Sequence, residues 1–448
     1  MEKKNNQDKI GAKKFFAWQS RAVSSACCVV ILGYLRIYCT DQLALSGTVI
    51  GIILLLSNVV DAVTDLTAGY LVDRTKSRLG KGRPYELCIL GVWLCTWLLY
   101  SCPPAFNTTI KIVWVFVLYI FVNSVFNTLL NSAATPYMVR AFKKGQLVRL
   151  ASFGGLITMV GSMVVSISFP ILMARLAVSA KGWSTLIAIY AVPLAVIGIM
   201  RFFFVKEEIV IEEDAVEKVS IKSIFTVLKK NPYIWMVALC QMLEGTVTSM
   251  GVGTYFYTYV VGNVEIMGMM MAISIFVIPL MFIVPALLKK MTKSRLILIG
   301  TALQVAGAVG LFLAGASIPV LVVASLIGGI GVLPITFLVD LQILDCCNYN
   351  EWKKLPRLEG SFASFRNFIT KCGNGIGGLV LGVMLDLSGY VGGAQVQTDS
   401  AIMTIRLAMG IVPALMYAVV GILTWFYGRL DNQLPQIESD LAAHRANV

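Results

Sequence analysis

The chain has 448 residues, of which 57% are apolar in the set AVILMFWYC and only 14% are charged, against roughly 25% charged in a soluble domain. That balance disfavours a disordered or nucleic-acid-binding protein, and the net charge of +13 has to be explained by where the charges fall. The single histidine, His444, stands in the polar C-terminal tail, and the ten cysteines lie mostly inside apolar runs with no CxxC and no Cys/His spacing. Histidine chemistry, a metal site, a disulfide framework and an enzyme are therefore all disfavoured.

A helix crossing about 30 Å of hydrocarbon needs roughly 20 residues. Apolar runs approach that length at 22–40, 44–71, 87–103, 111–134, 151–174, 183–205, 233–260, 266–288, 295–314, 317–340, 361–385 and 401–427. Runs of this length lack the ten-residue alternation of a barrel strand, so they predict an all-α integral membrane protein with twelve spans. The basic start MEKKNNQDKIGAKK precedes the first run and lacks a small-residue cleavage site, which reads as an uncleaved first span.

The second run contains SNVVDAVTDLTAG. Asn58, Asp61 and Asp65 share one stripe of a helix, with Thr64 beside it. Carboxylates within a span are functional candidates by default, and two of them one turn apart repel unless a cation sits between them or one is protonated. This is the local chemistry of a Na⁺ or shared-proton site. In the fourth run Asn123, Asn127, Thr128 and Asn131 form a polar face suited either to a hydroxylated solute or to interhelical hydrogen bonds. Trp93, Trp97 and Trp114 read as core or interfacial aromatics, and Trp352 as a loop residue.

The polar connection Lys206–Pro232 divides the chain into an N-terminal six-helix bundle, 1–205, a cytoplasmic linker, 206–232, and a C-terminal bundle, 233–448. Glu244 interrupts the seventh run, where it lines a central cavity or pairs with Arg366 or Lys371. Those two cations lie within the eleventh run, in SFASFRNFITKCGNGIGG. Lys371 is a counter-charge for the Asp61/Asp65 pair, and the glycines that follow permit close helix approach. Thirty of the 37 basic residues fall in loops on one side, which predicts that both termini are cytoplasmic. The net charge is thereby explained as topology.

The segment DAVTDLTAGYLVDRTKSRLGKGRPY resembles the second helix and following loop of the glycoside-pentoside-hexuronide:cation symporters, the melibiose permease-like family of the major facilitator superfamily. YCTDQLALS, DCCNYNEWKKLPRLEGSFAS and Lys371 extend the resemblance over about the whole chain. It implies twelve helices in two six-helix bundles, with Asp61, Asp65, Asn58, Thr64 and Thr128 holding the coupling cation and Lys371 near them. It also implies a gating loop formed by Asp73, Arg74, Arg78 and Arg83, together with Lys81. Where melibiose permeases carry sugar-binding residues, this chain has Ser24 and Ser25, Asn131 and Gly154, and it gains Arg366. Loss of acids and gain of a cation favour an acidic glycoside or uronide, with Asn131, Asn127, Arg366, Glu244 and Ser25 as substrate candidates.

The expected function is Na⁺- or H⁺-coupled symport of a sugar or glycoside by alternating access in the cell membrane. The expected partners are a small-molecule substrate, the coupling cation and the lipid bilayer, with no cofactor, no nucleic acid and a monomeric state. A carrier of a lysolipid or other amphipath on the same fold is the alternative. A transporter-like sensor without flux is disfavoured, because the tails are short.

Overall fold

The computed structural model describes residues 10–75, 77–207, 227–356 and 359–446, and among them every regular element is helical. The first six expected spans correspond to α1 (Ala12–Leu32), α2 (Gly47–Arg74), α3 (Cys88–Leu99), α4 (Thr108–Ile120) with α5 (Thr128–Ala141), α6 (Lys144–Leu176) and α7 (Ala180–Phe204). The rest are α8 (Pro232–Met250), α9 (Glu265–Ile273), α10 (Lys293–Ala314), α11 (Ile318–Trp352), α12 (Glu359–Leu387), and α13 (Asp399–Met409) with α14 (Ile411–Ala446).

Capping explains several of the starts. Asn107 accepts from the Ile110 amide at 2.8 Å, Ser179 from Gly182 at 3.1 Å and Thr398 from Ala401 at 3.2 Å, each satisfying a donor that the first turn leaves open. Nine helical stretches among the described residues are long and apolar enough to cross a membrane. The other three expected spans are helical but short or interrupted. α3 has 12 residues after a 3-10 turn at Arg83–Leu87. α8 ends at Gly251, whose φ of 63° breaks the helix before a second segment resumes. α9 runs into a 3-10 stretch, Ser274–Ile283, that contains Pro279.

Helix lengths differ from the hydropathy runs for a physical reason: hydropathy marks where the helix is greasy, whereas hydrogen bonding carries it on into polar sequence. α1 begins at Ala12, ten residues before the first run, and α11 continues to Trp352, twelve beyond the tenth. Trp352 thus stands in a helical turn rather than a loop, its indole N–H donating to Asp440 at 2.9 Å. His444 likewise falls within α14. Exposed faces remain apolar: Val160 and Val164 on α6 and Val192 and Val196 on α7 are each more than 60% exposed at a spacing of four, a stripe suited to hydrocarbon as solvent.

The described residues gather into two compact units, the first comprising residues up to 207 with Asn263–Met271 and Val391–Val396, the second the remainder. Residues 208–226, most of the expected linker, lie outside the described residues. In the first unit α1 packs on α6 and α7, α3 on α7, and α2 on α5. Trp18, Tyr137, Phe142, Leu150 and Val205 form a buried cluster there, with Trp18 edge-on to Tyr137 and Phe142 at 5.2 and 5.1 Å. In the second unit α8 packs on α12 and α10 on α11 and α14. Gly373 and Gly377 allow the α8–α12 approach, since a Cβ at either would run into the carbonyl of Met242 or Thr246.

Candidate functional site

The paired acids lie on α2, whose start is fixed by Ser46 accepting from the Val49 amide at 3.4 Å. Asp61 and Thr64 are half-buried and Asp65 is exposed. Asn58 donates its amide to the Leu54 carbonyl at 2.8 Å, and the Thr64 hydroxyl donates to the Asp61 carbonyl at 3.0 Å. Each side chain thus spends a donor on its own helix and keeps oxygen lone pairs, which are hard ligands for a small cation.

The Thr128 hydroxyl joins this stripe to a neighbouring helix, donating to Asp61 Oδ1 at 2.8 Å. Thr128 begins α5 directly after a π-helical stretch, Phe121–Asn127. That wider turn leaves the Asn123 carbonyl 3.2 Å from the same hydroxyl; a hydroxyl has one proton, and the shorter bond to a carboxylate takes it. Asn127 is half-buried, and Asn123 donates to the Tyr119 carbonyl at 3.3 Å.

Asn131, one turn beyond Asn127, is exposed, and its Oδ1 lies 3.4 Å from Arg21 Nη1. Arg21 belongs to a buried charge cluster that the sequence reading missed. Glu86, 1% exposed, has Arg201 Nη1 at 3.3 Å from Oε1 and Arg21 Nε at 3.8 Å from Oε2. Arg201 is held further by the Trp18 carbonyl, to which Nε donates at 2.8 Å and Nη2 also donates, and it stacks 3.8 Å above the Trp18 ring. The positive-inside count placed Arg21 and Arg201 in solvated loops. The extension of α1 to Ala12 places Arg21 in the middle of a helix, 7% exposed.

Ser24 Oγ accepts from the Trp93 indole at 2.8 Å and donates to the Leu194 carbonyl at 2.7 Å, a structural role. Ser25 Oγ is buried and finds no hydrogen-bond partner among the described residues. At Gly154 a Cβ would collide with the side-chain amide of Gln19.

The expected gating loop follows α2. Asp73 and Arg74 end that helix, Arg74 stacking on Tyr70 at 4.3 Å, and Arg78 is exposed. Arg83 donates to the Phe202 carbonyl at 2.8 Å. The Glu207 carboxylate accepts from three successive loop amides, those of Lys81, Gly82 and Arg83, at 2.9, 2.7 and 2.8 Å, a backbone anion cradle.

In the second unit Glu244 is met by Gln304, whose amide donates to its two oxygens at 3.0 and 3.2 Å. Of the three alternatives for Glu244, pairing with Arg366 is not what forms: Arg366 Nη1 bonds Asp340 Oδ1 at 2.7 Å. The reason is helix length, since Asp340 ends the tenth apolar run but sits well inside α11. Arg366 thus has a carboxylate partner of its own on α11. Lys371 is half-buried on α12, in the second unit, whereas Asp61 and Asp65 lie in the first. The same unit also holds Lys293 2.5 Å from Asp345, whose carboxylate accepts from Tyr427 at 3.1 Å.

A helical membrane chain with paired intramembrane acids matches, from residue 24 to residue 431, the family model for MFS/sugar transport proteins. The chain belongs to that family. It is 27% identical to the isoprimeverose transporter of Lactiplantibacillus pentosus across 92% of this chain and 87% of that one. To the glucuronide carrier protein homolog of Escherichia coli it is also 27% identical, across 90% of this chain and 89% of the other. Among solved structures, a bacterial homolog of the human lysosomal transporter Spinster superposes with a TM-score of 0.71, covering 94% of this chain and 99% of that one at 12% identity. That likeness is one of fold. The family is one of transporters, not enzymes.

Proposed function

We propose that this protein carries a sugar or glycoside across the membrane together with a coupling cation, by alternating access of two helical units. The observation that carries the reading is the Thr128 to Asp61 bond at 2.8 Å. It ties the paired-acid stripe of α2 to the start of α5, with Asn127 just before that helix at the end of the π-helical stretch and Asn131 in its first turn. In this reading Asp61 and Asp65, with the oxygens of Asn58, Thr64 and Thr128, take Na⁺ or H⁺. Asn131, Asn127, Ser25 and Glu244 take substrate, and Lys371 supplies the counter-charge when the cation is absent. Cation binding then favours the substrate-competent state, and linkage requires substrate to tighten the cation in return. Glu207 in its amide cradle holds the loop after α2 against the end of α7, within the segment that has to move in such a cycle.

The same reading has twelve spans in two six-helix bundles, divided by the connection at 206–232, both termini cytoplasmic, and a monomer in the cell membrane. Relatives named for transporting isoprimeverose or as a glucuronide carrier support the substrate class. One observation favours the amphipath alternative: an apolar cavity of about 400 Å³ between α1, α6 and α7, lined by Phe16, Val23, Ile157, Ile197 and Phe204 with Lys13 at its edge. Uptake of labelled neutral and acidic glycosides into proteoliposomes under an imposed Na⁺ or H⁺ gradient tests the proposal. Accumulation driven by one gradient is expected; uptake of a lysolipid alone contradicts it.

A further inference from the structure

The buried cluster of the first unit is not balanced. Arg21 and Arg201 bring two positive charges to one carboxylate, Glu86, at a site where the three side chains are 9%, 2% and 1% exposed. Arg201 is the firmly held member: it has the closer carboxylate oxygen, two bonds to the Trp18 carbonyl and the Trp18 ring. Arg21 is the loosely held member. Among the described residues its Nε makes no hydrogen bond, nor does the Glu86 Oε2 that faces it 3.8 Å away, and its Nη1 reaches Asn131 Oδ1 at 3.4 Å, the long end of a hydrogen bond. A buried guanidinium with donors to spare costs several kcal/mol unless something compensates it, and its fork suits a carboxylate or another oxyanion.

The surroundings complete a subsite. Ser25 lies four residues after Arg21, on the same face of α1, and its buried hydroxyl also finds no hydrogen-bond partner among the described residues. Asn131 approaches from α5 and is itself exposed, so the group that Arg21 faces is open to a solute. Two elements thus present a guanidinium, a hydroxyl and an amide with unused hydrogen-bonding capacity, and with a net positive charge behind them.

We propose that Arg21, with Ser25 and Asn131, forms an anion-reading subsite that binds the carboxylate or sulfonate of an acidic glycoside. This rests on the reading of the chain as a glycoside transporter, and it places a charge-recognising residue on α1. Arg201 and Glu86 hold the cluster in place, and Arg21 makes the contact with substrate.

The test uses full-length protein in proteoliposomes and a matched pair of probes, p-nitrophenyl glucoside and p-nitrophenyl glucuronide in both anomers, which differ only in a hydroxymethyl or carboxylate at the sugar's C6. Competitive binding and uptake give a glucuronide-to-glucoside ratio. The wild type favours the glucuronide. Arg21→Gln lowers the ratio about 10- to 100-fold, the range of one charged hydrogen-bonded contact, and leaves glucoside recognition in place. Asn131→Asp lowers it with Arg21 still present, because the new carboxylate neutralises the guanidinium, and Arg21→Lys keeps part of the preference. Monodisperse elution of each variant shows that it folds. A wild type that prefers the glucoside, or a ratio unchanged in a folded Arg21→Gln, overturns the subsite while leaving glycoside transport standing. Recognition of neither probe by the folded wild type overturns both.

Discussion

The buried cluster predicts effects of very different size for two substitutions of neighbouring side chains. At 3.3 and 3.8 Å and an effective dielectric of about 20, each arginine gains roughly 4 to 5 kcal/mol of attraction from Glu86, most of it offset by the loss of hydration. Glu86→Gln removes both attractions and leaves two buried guanidiniums facing an amide. Removing one partner of a buried pair costs about 3–5 kcal/mol, and Arg201 keeps its bonds to the Trp18 carbonyl and ring, so the lower half of that range is expected. Arg21→Gln does the reverse: it removes the unbalanced charge and leaves Arg201 paired with Glu86, so stability changes by no more than about 1 kcal/mol, the packing of the arginine stem being the main loss. Heating purified protein in detergent and measuring the fraction that stays monodisperse reads both. Glu86→Gln should fail several degrees earlier and Arg21→Gln should track the wild type. The charge accounting is refuted if Glu86→Gln melts with the wild type, or if Arg21→Gln falls as far as Glu86→Gln.

Thr128→Val keeps the shape of the side chain and removes the donor to Asp61. Loss of one hydrogen bond to a charged group, about 1.5–3 kcal/mol, should raise the cation concentration for half-maximal uptake roughly tenfold or more, and an unchanged cation dependence would count against the assigned site. Glu207→Gln removes the charge and one of the two acceptor oxygens from the loop cradle. Hydrogen exchange at the amides of Lys81, Gly82 and Arg83 should then quicken by about tenfold or more; unaltered protection would show that the cradle does not hold the loop.

The sequence made the paired acids visible because carboxylates are costly in an apolar run, and Asp61 and Asp65 stand one turn apart inside one. Thr128 is different. A threonine in a span is ordinary; the polar face of the fourth run included it, but its place with the cation came from the resemblance to a known family, and the π-helical turn that aims it at Asp61 has no plain signal in the residues. Arg21, Glu86 and Arg201 escaped notice because each stands at the polar edge of an apolar run, where a topology rule explains a basic residue without any partner. Helix ends are set by backbone hydrogen bonds, which hydropathy does not report, and α1 starting at Ala12 is what turns Arg21 from a loop charge into a buried one. The same blindness hid Asp340 from Arg366, since α11 runs on for twelve residues past the apolar segment. Glu244 was legible as an anomaly but its partner was not, because Gln304 is neutral and lies in a run with no other feature.

Coupling through Asp61 is the central claim, and Asp61→Asn tests it most directly. The amide keeps the size of the side chain and removes its charge. In proteoliposomes the variant should still exchange labelled for unlabelled substrate across the membrane, yet lose accumulation driven by an imposed cation gradient. Accumulation equal to the wild type's, with the same cation dependence, would contradict the account.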